Sequence, residues 1–208
     1  MYSRSTFLAL LLLLVPFQKP GDSFQRHYEN AETQRRAGNL GAAEAEYLKI
    51  VEYKTAGLIA AACRMGAILA DAPEAQQDAL YRFGRHLGIA FQVADDTLDY
   101  TANGERLGKT LGQDLRQGKA TLPMLHLLHH CSEQDRQIIV DRMETRTLSE
   151  EDLGRFIRLM EELGSITYAM DCARSYVAAA QRDLDQFEDS TAKRALSVAA
   201  DYMVTRDR

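Results

Sequence analysis

Phe91-Gln92-Val93-Ala94-Asp95-Asp96-Thr97-Leu98-Asp99-Tyr100 decides the reading of this chain, with Gly108-Lys109-Thr110-Leu111-Gly112-Gln113-Asp114-Leu115-Arg116-Gln117-Gly118-Lys119 close behind it. Three carboxylates precede two lysines where a helix should run into a loop. On a helix, Asp95 and Asp99 are i,i+4 neighbours on one face, and Gln92 stands one turn earlier on the same side. Hard carboxylate oxygens suit Mg²⁺, which is usually held by one or two carboxylates plus substrate phosphate oxygens. Lysines suit the phosphates themselves, as mobile point charges. The set describes a site for a magnesium-bound diphosphate.

Working outward, the pattern is helical almost throughout. Leu80, Phe83, Leu87, Phe91 and Leu98 recur near the helical period and predict one long helix over 74–100. Residues 56–70 are rich in Ala, Leu and Ile, predict a closely packed helix, and stop at Asp71-Ala72-Pro73. Thr101 to Gly118 is the chief loop, and Pro123 suits the first turn of the next helix. Further helices are expected near 133–145, 149–163, 164–187 and 190–205. No alternating run demands a sheet, so an all-α antiparallel bundle is the expected architecture. Lys54-Thr55 is read as opening a helix, where free N–H groups would favour an anion.

Several of these stretches, in this order, resemble the trans-type polyprenyl diphosphate synthases. Lys54-Thr55-Ala56 resembles that family's Lys-Thr pair, and Phe91 to Tyr100 resembles its second aspartate-rich motif. Gly108-Lys109 through Thr121-Leu122-Pro123 resembles its lysine-bearing loop and the helix after it. Gly164-Ser165-Ile166, Ala200-Asp201-Tyr202 and Arg206-Asp207-Arg208 resemble its C-terminal helices. The resemblance covers roughly residues 40–208 and implies a helical bundle of the isoprenoid synthase type. It further implies condensation of isopentenyl diphosphate with an allylic prenyl diphosphate, with Mg²⁺ as cofactor. By resemblance, Asp95 is the direct metal ligand, and Asp96 and Asp99 bind directly or through metal-bound water. Lys54, Thr55, Gln92, Lys109 and Lys119 bind diphosphate, with Asp114 orienting a lysine or a metal-bound water.

The family's first aspartate-rich motif has no counterpart here. Before Asp95 the only aspartates are Asp22, Asp71 and Asp78, and none are paired. Arg35-Arg36 imitates the arginine pair that follows that motif, but Glu29 and Glu32 have neither its residue type nor its spacing. The chain is therefore expected to be an N-terminally truncated synthase. Residues 24–53 read as a helical segment, either half of a tetratricopeptide-like pair turning at Gly38-Asn39 or a fusion junction, and 54–208 as the synthase-like domain. Three functions follow: a prenyltransferase that needs a partner, a non-catalytic diphosphate-binding or regulatory subunit, or an exported helical interaction protein. A homo- or hetero-oligomer is expected in the first two.

Composition trims the alternatives. The 208 residues are 46% hydrophobic, ordinary for a folded domain. A net charge of −5 argues against a nucleic-acid partner, which needs a basic face. Cys63, Cys131 and Cys172 lack ligand spacing and read as small apolar residues, as a reducing compartment allows. The resemblance places the chain in the cytoplasm. Residues 1–23, however, form a signal-like apolar segment and linker: Arg4 precedes an apolar run at 7–15, too short to span a bilayer. That run leaves export open and is the only route to a membrane. His126 and His130 share an i,i+4 face but find no third ligand in sequence. Phe83, Leu87 and Phe91 read as core before they read as a groove for a prenyl tail.

Overall fold

The computed structural model describes residues 20–101 and 111–205, with side chains from Phe24 onward, and every regular element among them is helical. Helix α1 (Pro20–Arg36) turns at Gly38 into α2 (Leu40–Val51). A π-helical segment, Glu52–Ala56, carries α2 directly into α3 (Gly57–Leu69). Helix α4 (Glu74–Leu98) follows, then the short α5 (Gln113–Arg116), α6 (Leu122–His130), α7 (Glu133–Thr145), α8 (Glu150–Glu162), α9 (Ser165–Asp183) and α10 (Thr191–Thr205).

Local chemistry sets many of these ends. Ser132 and Ser149 cap α7 and α8 by accepting from the N–H groups of Asp135 and Asp152, and Asp152 returns the bond in a full capping box. Pro123 lies in the first turn of α6, where a missing N–H costs nothing.

Helix α4 is the axis of the fold, flanked by α3 on one side and α9 on the other. Its second half is buried on most faces, from Gly88 through Val93 to Thr97. The main core joins Tyr47, Val51, Ile89, Val93, Leu122, Met124, Leu127 and Phe156. A second cluster packs Phe83 and Ala90 against Val177, Ala180, Leu184 and Ala200. Phe83 is fully buried there and Leu87 packs against the same group, so both are core residues. Full burial of a side chain such as Phe83 contributes about 1.5–3 kcal/mol. The three cysteines are free, and burial pushes each thiol up from its ordinary range.

The structure corrects the expected elements in three places. Helix α1 begins at Pro20, inside the stretch expected to be linker, since proline suits the first position of a helix. Lys54 and Thr55 do not open a helix. They lie within the π-helical segment of one continuous rod, where the Gly57 N–H bonds the Glu52 carbonyl five residues back. Those backbone donors are spent on the helix, so the reading of a helix N-terminus offered to an anion fails. Third, the expected loop contains α5, which starts after Gly112 in a left-handed conformation (φ 67°).

Candidate functional site

Two short helices and two long ones bring the site together. Small residues make this possible. A side chain on Gly88 would put its Cβ 2.5 Å from the Ala56 Cα, and one on Gly84 would lie 2.8 Å from the Ala60 Cα. Helix α4 therefore presses directly on the π-helical segment and α3. Arg85 on α4 clamps the same segment, donating from Nε and Nη2 to Glu52 at 2.6 and 2.8 Å. That contact raises the arginine's pKa further.

With the backbones so close, Thr55 Oγ1 donates to Gln92 Oε1 at 2.7 Å, and Gln92 Nε2 donates to Asp96 Oδ1 at 2.8 Å. The second Asp96 oxygen, Oδ2, accepts from the Tyr47 hydroxyl on α2 at 2.7 Å. Thr55, Gln92, Asp96 and Tyr47 thus form one hydrogen-bonded chain. Gln92 and Asp96 are 6% and 8% exposed, so these bonds are made largely away from water. Burial raises the Asp96 carboxyl above its ordinary range. The Tyr47 and Gln92 hydrogen bonds oppose that, Asp114 adds to it, and the Lys54 charge pulls it back. Burial and the neighbouring Asp96 push the Tyr47 phenol well up, so it keeps its proton and is the donor.

A second arm starts at Asp99. Its Oδ2 accepts from the Asp114 N–H at 2.9 Å, which anchors the start of α5, and its backbone carbonyl accepts from Gly112 N–H. Asp114 Oδ1 in turn holds Lys119 Nζ at 2.9 Å. Tyr100, fully buried beside this turn, shares a 2.8 Å hydrogen bond with Thr121 at the start of α6. Burial pushes its phenol far up.

The structure therefore brings Thr55, Gln92 and Asp96 into contact and joins Asp99, Asp114 and Lys119. Both arms bear on one carboxyl, since the charges of Asp114 and Lys54 each shift Asp96, in opposite directions. Lys54 is exposed and Asp95 half-buried; neither Asp95 nor Asp99 lacks a partner. Lys109 and the Arg206-Asp207-Arg208 ending lie outside the described residues. Gln92, expected to bind diphosphate, donates one amide hydrogen to Asp96. Arg116 is tied to Glu150 at 2.6 Å and stays outside the site. Arg35, the false partner of an upstream motif, is buried against Glu32. Sequence reasoning missed Tyr47 as a site residue; its place two helical turns before Lys54 was the one available signal.

Among the described residues, no three carboxylate, imidazole or thiol groups converge to hold a metal unaided. His126 and His130 stack ring on ring with centroids 4.0 Å apart, which is packing geometry. No described helix is long and apolar enough to cross a membrane; the apolar run at 7–15 lies outside the described residues.

Fold and site together define an all-α protein of the prenyl synthase class. The polyprenyl synthetase family model matches residues 21–160, a span that includes every site residue named above. Octaprenyl diphosphate synthase of Haemophilus influenzae is 38% identical over 164 residues, covering 79% of this chain and 50% of that protein. A short chain isoprenyl diphosphate synthase of Methanothermobacter thermautotrophicus is 36% identical over 168 residues, 81% of this chain and 51% of that protein. Among solved structures, a polyprenyl synthase of Caulobacter crescentus complexed with calcium and isoprenyl diphosphate superposes with TM-score 0.76. It is 34% identical and covers 91% of this chain and 59% of that one. Decaprenyl diphosphate synthase of Rhodobacter capsulatus gives 0.74 at 32% identity, covering 89% and 57%. This chain belongs to the polyprenyl synthetase family. It spans about half the length of the curated relatives it matches.

Proposed function

We propose that this chain carries the diphosphate-holding half of a prenyl diphosphate synthase that condenses isopentenyl diphosphate with an allylic prenyl diphosphate. The observation that carries the reading is the pair of arms on the carboxylate cluster at the end of α4: Asp96 is linked through Gln92 to Thr55, and Asp99 accepts from the backbone of Asp114, whose side chain holds Lys119. Such a site offers acids for a cation and cations for phosphate within one packed unit.

The donor set suits Mg²⁺. Asp95 and Asp99 sit one helical turn apart with hard oxygens, and Mg²⁺ takes most of its other ligands from water and phosphate rather than from protein. In this reading Asp95 holds the ion directly, and Asp96 and Asp99 do so directly or through its water. The bound ion supplies positive charge against the diphosphate oxygens. Lys54, Lys109 and Lys119 neutralise the remaining charge, and Thr55 fixes the Lys54 turn against Gln92. Charge placed in advance where the leaving diphosphate develops it is often the largest catalytic term. In the reaction the allylic C–O bond breaks with its electron pair leaving on diphosphate. The isopentenyl double bond then forms the new C–C bond, and a proton is lost.

In this reading the reaction needs a second acid cluster, which Asp22, Asp71 and Asp78, standing far apart in sequence, do not supply within these 208 residues. In this reading the protein works in the cytoplasm. Calorimetry with farnesyl diphosphate, with Mg²⁺ or with a chelator, tests the binding; incorporation of radiolabelled isopentenyl diphosphate tests the chemistry. Binding only with Mg²⁺ and little turnover by the chain alone are expected. Equal binding in both conditions rejects the metal-bridged site, and robust turnover abolished by Asp95→Ala rejects the need for a second cluster.

A further inference from the structure

We infer that Tyr47 is a positioning residue of the diphosphate site, acting through Asp96 to tie the acid cluster of α4 to the Lys54-Thr55 segment. This rests on the proposed diphosphate function and adds a residue to it. Tyr47 is 6% exposed and stands 49 residues from Asp96 in sequence, yet its hydroxyl lies 2.7 Å from Oδ2. A buried phenol needs an acceptor, and any core carbonyl would have satisfied that need. Here the acceptor is a carboxylate whose other oxygen is held by Gln92, itself held by Thr55.

That arrangement has a consequence for geometry. Asp96 is gripped from two directions by groups on two different elements, α2 and α4, so its plane cannot rotate without breaking a buried bond. Each carboxylate oxygen still has a further lone pair, and the two bonds hold the direction of both. Thr55, at the other end of the chain, is set by the same bonds. A shift of α2 would therefore displace the acid cluster and the threonine together. Groups that orient ligands in this way change metal affinity or activity by about 10–100-fold when removed.

Tyr47→Phe keeps the ring and deletes only the donor. Manganese binding by the full chain, followed by electron paramagnetic resonance with inorganic diphosphate present, is measured for wild type, Tyr47→Phe, Asp96→Asn and the double variant, alongside thermal melts. We expect Tyr47→Phe to weaken manganese affinity by at least about tenfold while remaining folded, and to have no further effect once Asp96 is Asn. Wild-type affinity in Tyr47→Phe, or the same fold loss in both backgrounds, overturns the inference and leaves the diphosphate function standing. Failure of the wild type to bind manganese with diphosphate overturns both. Should Tyr47→Phe not fold, 3-fluorotyrosine at position 47 keeps the donor: its fluorine resonance should move when manganese-free Mg²⁺ and diphosphate are added. An unmoved resonance overturns the inference.

Discussion

Gly88 meets Ala56 backbone to backbone: a Cβ added to Gly88 would lie 2.5 Å from the Ala56 Cα, with no flexible side-chain end to give way. This contact sets how far Gln92, one turn along α4, stands from Thr55. Gly88→Ala should therefore push α4 off the π-helical segment, costing about 1–3 kcal/mol as an overpacked core does. It should also weaken diphosphate binding. Gly66→Ala is the control, since a Cβ there meets nothing within 4 Å. Replacing a helical glycine at an open position should stabilise by about 0.5–1 kcal/mol. Denaturant melts of both variants check the pair; similar shifts in both would show that the close approach does not matter.

The role of the acid cluster is checked by comparing Asp95→Ala with Asp71→Ala in calorimetry with farnesyl diphosphate and Mg²⁺. Asp95 lies in the cluster, whereas Asp71 follows α3 in a turn with φ 51°. Asp95→Ala should weaken binding by at least about tenfold, or about 1.4 kcal/mol. Asp71→Ala should leave affinity intact and lower stability slightly, because alanine tolerates the left-handed region less well than aspartate. Equal losses of affinity would remove Asp95 from the site.

Much of this was legible because helix ends and faces are local. Ser132 and Ser149 with acids three residues on, Pro123, and the apolar period of α4 each mark their element within a few residues. The failures are of two physical kinds. A π-helical turn has no compositional mark: Glu52–Ala56 continues the helix pattern, and only a missing cap before Lys54 warned against a new start. The Tyr47–Asp96 bond joins positions 49 residues apart, and nothing local announces it. The same holds for the Thr55–Gln92 bond, which joins positions 37 residues apart and depends on the close approach of α4 to the π-helical segment.

The outer face of α3 predicts association. Leu58 is 77% exposed and Leu69 66%, with Ala62 and Gly66 exposed between them along the helix. A contiguous apolar surface of this kind marks an interface or an aggregation liability. Light scattering should show a species larger than the monomer, and Leu58→Lys with Leu69→Lys should reduce it. A wild-type monomer that binds no hydrophobic dye would mean that this face needs no cover.

Stability should also fall on mild acidification, through His126. The ring is half-buried on α6, with its Nδ1 3.0 Å from Ser165 Oγ on α9, stacked on Tyr168 of α9 and His130 of its own helix. Tyr168 in turn donates to Glu44 on α2, so that carboxylate is already engaged. Burial lowers the His126 pKa below its ordinary value of 6.5, and charge on His130 and His129 lowers it further. With the folded value depressed, the unfolded chain takes up the proton first. The stability is fully present above about pH 6.5 and is lost as pH falls from there through the lower folded value. Thermal melts between pH 8 and pH 5 should show the wild type losing Tm more steeply below pH 6.5 than His126→Asn, which has no proton to gain. Parallel curves for the two proteins would show that the His126 imidazole is not the group that titrates.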